Sequence, residues 1–123
     1  MKIKYISETM NLIEMANITK RKSNLACDVW SEHSGVLRNN THSEPRVKLT
    51  KDNIGISVSI EQEPRILALP NGQSEDKLRR IFNDGINFVG RNHDVLLKHY
   101  LDTDDSFDDE DLFNALRERG EYK

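Results

Sequence analysis

A chain of 123 residues fits one domain with one core, and 36% hydrophobic content with a mean hydropathy of -0.71 makes that core thin. The single cysteine, Cys27, excludes an internal disulfide and a cysteine-based zinc site, and no run approaches the roughly 18 apolar residues of a membrane span. Net charge is -3, but residues 101–123 carry nine acidic and three basic side chains while the first hundred carry twelve acidic and fifteen basic. An acidic appendage on a mildly basic body is therefore expected. The N-terminus lacks the charged and apolar blocks of a signal peptide. The expected compartment is the reducing cytoplasm.

In chain order, Lys2 to Ile6 alternates as a short strand, and Ser7 to Ala16 is read as a helix capped by Ser7. Thr19 to Asn24 is a basic, polar linker, so residues 1–22 are expected to be peripheral. Leu25 to Ser31 is a strand with Leu25, Cys27 and Val29 on one face and Ala26, Asp28 and Trp30 on the other. Residues 32–44 are loop by composition. Pro45 pre-sets an extended entry to a strand over 46–50. Lys51, Asp52 and Asn53 form a tight turn. Ile54, Ile56, Val58 and Ile60 alternate with small or polar residues, the cleanest period of two in the chain. Arg65 to Leu69 is a further short strand, and Pro70 to Gly72 a turn.

Ser74 caps a helical region that runs to Leu101, with Leu78, Ile81, Phe82, Ile86 and Val89 at helical spacing. A kink is expected at Gly90 to Asn92, beyond which Leu96, Leu97, Tyr100 and Leu101 continue the apolar stripe. Ser106 and Asp109 read as a capping-box pair before a short acidic helix that stops at Gly120. The expected fold is α+β in a single domain over 1–123. Residues 25–69 are the strand-rich half, an antiparallel sheet of about three to five strands. Residues 74–119 are the helical half that packs it.

The densest chemistry is His33, His42, Arg46 and Lys48, with Asp28 and Glu32 nearby. These parts could make a general acid–base pair or a cationic pocket for a phosphate, although two histidines across a loop are no recognised metal signature. Trp30 reads either as a core aromatic anchoring the helices onto the sheet or as a stacking platform beside Arg46 and Lys48. His93 and His99 share no helical face, against a paired metal site. The run 102–111 lacks the glycine and the terminal glutamate of a calcium loop. Asp108, Asp109 and Asp111 could instead mimic phosphates in a basic groove of another protein. There is no phosphate-binding glycine loop, nucleophile elbow or zinc-protease helix, so neither a metal nor another cofactor is expected.

The run from Leu25 to Asp102 resembles a loosely defined family of small bacterial and mobile-element proteins without established function. Three stretches carry it: Asp28-Val29-Trp30, His42-Ser43-Glu44-Pro45-Arg46-Val47-Lys48, and Phe88-Val89-Gly90-Arg91-Asn92-His93-Asp94-Val95-Leu96-Leu97. It is also similar to a domain of unknown function with an H-x-x-P motif, some of whose members are encoded beside a partner in toxin–antitoxin-like pairs. The resemblance implies strands followed by helices, and a life in partnership. Arg46 and Lys48 stand where such relatives often have histidine. The expected function is a non-enzymatic module from a phage, mobile element or toxin–antitoxin-like locus that binds a protein partner, as an inhibitor through its acidic C-terminal region. The alternative is a nucleic-acid-binding protein or nuclease using His42, Arg46 and Lys48. The expected contact residues are Trp30, His42, Arg46, Lys48, Asp108, Asp109 and Asp111.

Overall fold

The computed structural model describes residues 15–32, 44–70 and 72–123. Its centre is a five-stranded antiparallel meander in which each strand pairs with the next: β1 (Ala16–Ile18), β2 (Asp28–Ser31), β3 (Arg46–Lys51), β4 (Ile54–Ser59) and β5 (Ile66–Ala68). The fold is α+β, with the longer helices gathered in the C-terminal half. The β3–β4 hairpin forms where the alternation predicts it. Its two-residue turn places Asp52 and Asn53 at φ 47° and 68°, the left-handed pair that matches strand twist in a type I′ hairpin. That turn pairs Lys51 with Ile54 and Leu49 with Ile56.

Alternation then sorts the side chains. Ile18, Val29, Val47, Leu49, Ile56 and Val58 face the helices and are buried with Leu78, Phe82, Phe88, Val89 and Leu96. A short α1 (Lys20–Ser23), capped by Thr19, joins β1 to β2. On the far side of the sequence come α2 (Glu75–Ile81), α3 (Asn83–Arg91), α4 (His93–Leu101) and α5 (Asp109–Glu118). Ser74 caps α2 by accepting from the Lys77 amide at 3.2 Å. Asn92 separates α3 from α4, and its side-chain amide donates to the Phe88 carbonyl at 2.9 Å. A polar side chain competing for the helical ladder is a known cause of kinking.

The expected kink also has a packing reason. A Cβ at Gly90 would lie 2.6 Å from the Gln62 carbonyl oxygen, so α3 approaches the β4–β5 connection more closely than a larger residue allows. At Gly85 the added carbon would lie 2.5 Å from Cys27 Sγ.

Four expectations are corrected. Ala16 ends no helix: it opens β1, where Ala16 and Ile18 are buried, so the peripheral segment does not extend through residue 22. The linker over 19–24 contains α1. A second break falls at Phe82, where backbone bonds from Phe82 to Leu78 and from Ile86 to Phe82 bridge the two helices. Leu101 leaves the apolar stripe and is exposed. The strand and helix read within residues 1–14 lie outside the described residues. Among the described residues no helix is long and apolar enough to cross a membrane.

Candidate functional site

Residues of the opposite parity point to the second face of the sheet. Strand register sets Asn17, Trp30, Lys48, Ser57 and Ala68 in one row across all five strands. Arg46 precedes Lys48 by two on the same face. Three of the residues singled out in the sequence, Trp30, Arg46 and Lys48, are thereby brought together. His42 and His33 lie outside the described residues.

Trp30 does not anchor the helices. It is half-buried on this second face, and its ring N–H donates to Thr50 Oγ1 across β2 and β3 at 2.9 Å. With that donor satisfied, the indole offers apolar surface. Lys48 is exposed. A cavity of about 220 Å³ opens beside the ring, lined by Met15, Trp30, Glu32, Arg46, Lys48 and Ser57. Lys48 and Ser57 also line an adjoining trough of about 320 Å³ that runs to Ala68, Leu69 and Pro70.

Glu32, one residue beyond β2, is only 7% exposed. Burial pushes its carboxyl above the ordinary glutamate range, and the nearby Arg46 charge opposes that shift. Tyr100 on α4 senses the same pair: burial raises its phenol first, Glu32 raises it further and Arg46 counteracts. Among the described residues, neither Glu32 Oε2 nor Arg46 Nε, both buried, has a hydrogen-bond partner. Asp28, also on this face, is committed elsewhere and accepts from the Lys20 amide at 2.8 Å.

The acidic C-terminal residues are built into the fold. Asp108, not Ser106, caps α5, and its partner is Asp111: each carboxylate accepts from the other residue's amide at 3.0 Å. Asp109 Oδ1 lies 2.7 Å from His99 Nε2, and His99 Nδ1 lies 2.8 Å from Ser31 Oγ. A carboxylate here accepts from Nε2–H, so the chain joins β2, α4 and α5 through one imidazole. Ser, His and Asp joined in a hydrogen-bonded chain invite a nucleophile reading. Ser31 and His99 are both fully buried, however, and present no surface to solvent. The chain pins elements together. Sequence reasoning missed it because the three residues are 68 and 10 positions apart.

Cys27 is no reactive thiol either, since burial and the Asp84 charge push it up to about 12. A larger cleft of about 590 Å³ is lined by residues 62–64 and by side chains of α2 and α3. Its two arginines are already paired, Arg79 with Glu75 and Arg91 with Glu121. Comparison of the chain with protein-family models, curated proteins and solved structures finds no match.

Proposed function

We propose that the protein is a non-enzymatic binding module whose contact surface for a protein partner is the second face of the sheet. One observation carries this reading. Trp30, Arg46 and Lys48 stand side by side on that face beside a cavity, whereas Asp108, Asp109 and Asp111 serve α5 and His99. Aromatic and arginine side chains in partly desolvated settings are the residue types that dominate interface energies. The cations favour a partner surface that presents carboxylates. A long polyanion suits the face less well, because Glu32 and Asp28 share it and nucleic-acid binding draws on many phosphate contacts. The mobile-element or toxin–antitoxin setting implied by the resemblance belongs to this proposal as the source of the partner.

The test is calorimetric titration of the full chain with the product of a neighbouring gene. Trp30→Ala is expected to weaken binding by about 2 kcal/mol, roughly thirtyfold. Lys48→Glu should weaken it at least about tenfold with an unchanged circular dichroism spectrum. Glu110→Lys, on the acidic helix and outside its cap, should bind normally. Loss with Glu110→Lys but not with Lys48→Glu would return the contact to the acidic tail. Tight, steeply salt-dependent binding of single-stranded nucleic acid would replace a protein partner altogether.

A further inference from the structure

We propose that the cavity between Trp30, Glu32 and Arg46 receives a primary carboxamide, the side chain of an asparagine or glutamine; the partner as its source rests on the reading above. Buried polar atoms without a hydrogen-bond partner are uncommon in folded proteins. Among the described residues, two that line one cavity each carry such an atom: Glu32 with Oε2, an acceptor when ionised, and Arg46 with Nε, a donor. The unmet demand is therefore one donor and one acceptor, held next to an indole ring.

Charge selects among occupants. A cationic side chain would satisfy Glu32 but meet Arg46 and Lys48, and a carboxylate would satisfy those two but meet Glu32. A neutral group carrying both functions answers both. A carboxamide does so with an NH₂ towards Glu32 and a C=O towards Arg46, and its planar shape lies flat against an aromatic face. One bridging water could also supply both functions, but it needs only roughly 10–15 Å³ of such space, and the cavity of about 220 Å³ has room for a side chain. Removing that carboxamide leaves the two atoms unpaired, which is the strong form of polar selectivity.

Trp30 is the only tryptophan, so its emission reports the cavity without a label or a partner. The full chain is titrated with the methylamides of N-acetylglutamine, N-acetylglutamate and N-acetylhomoserine, and with guanosine. The glutamine compound is expected to shift Trp30 emission saturably with a dissociation constant on the order of 1–10 mM. The glutamate and homoserine compounds should bind at least about tenfold more weakly. Glu32→Ala and Arg46→Ala should each lower the glutamine affinity at least about tenfold. The ligand series on the unaltered protein decides the matter even if a variant misfolds.

No saturable response to the glutamine compound at about 100 mM, well above the affinity expected for a ligand of this size, overturns the proposal. So does equal binding of the glutamate or homoserine compound. Guanosine binding more tightly than the amide overturns it in favour of a nucleobase edge. Because no partner is present, failure here leaves the partner reading untouched. Loss of the partner reading in calorimetry leaves this titration to stand or fall alone.

Discussion

Lys48 and Asp109 are both charged and reachable from solvent, yet their neighbours give them different work. Lys48 projects from the second face of the sheet, while Asp109 holds a fully buried imidazole. Asp109→Ala is therefore expected to destabilise the fold by about 1 kcal/mol, read as a lower melting temperature. The neighbouring Glu110→Ala should stay within about 0.5 kcal/mol of the parent. Glu32 works in the opposite sense. Its folded-state carboxyl is raised by burial, so ionising it costs stability as pH rises through the folded value. Glu32→Gln is expected to stabilise the protein at neutral pH, with the advantage shrinking as pH falls towards the unfolded value of 4.5. Equal denaturant midpoints for the two proteins at pH 7 would contradict this. The pairing of Trp30, Arg46 and Lys48 was legible in the sequence from alternation along two strands. The roles of Asp108, Asp109 and Asp111 were not, because a run of adjacent carboxylates offers several candidate caps and only folding selects one.

At the scale of elements, the period-two alternation over Ile54 to Ile60 and the turn residues Lys51, Asp52 and Asn53 point to the central hairpin, and the structure keeps Lys51 in β3 and turns at Asp52 and Asn53. The helical stripe from Leu78 to Val89 likewise supplied the layer that covers it. β1 was illegible for a physical reason: three residues are too few to show a period, and the strand exists because Ala16 to Ile18 pairs with Val29 to Ser31. The break at Phe82 left no sequence signal, since it lies inside an unbroken apolar stripe. Gly90 was legible only as a weak helix former. Its contact with the Gln62 carbonyl adds a close approach that a methyl group would violate. Gly90→Ala should gain about 1 kcal/mol of helix propensity and lose roughly 1–3 kcal/mol to overpacking. Net destabilisation in urea melts is the expected result, and a stabilised variant would show that the two backbones can part.

Across the whole molecule, the last residues clasp the helices of the C-terminal half to one another and to α1. Arg91 grips Glu121 through two nitrogens at 2.9 and 3.1 Å, and Arg119 grips Asp94 at 2.8 and 2.6 Å, with Asn92 between them. Tyr122 stacks on Phe113, and the Lys123 amide donates to the Lys22 carbonyl at 2.9 Å. The Arg119 hydrogen bonds hold the Asp94 carboxyl down at about 2, below its ordinary 3.8. A lowered carboxyl adds stability above its unfolded value that is lost as pH falls through the folded one. Acid unfolding between about pH 4 and 2 should therefore be shallower in Asp94→Asn than in the parent, as followed by circular dichroism. This clasp, the capped α5 and the Ser31–His99–Asp109 chain give the C-terminal region work in holding the fold together, and the second face of the sheet is the contact surface we propose. The most direct test is acrylamide quenching of Trp30 fluorescence on addition of the partner protein. Contact through that face predicts a blue-shifted emission and reduced quenching, both lost in Lys48→Glu; unchanged emission and quenching in a complex known to have formed would contradict it.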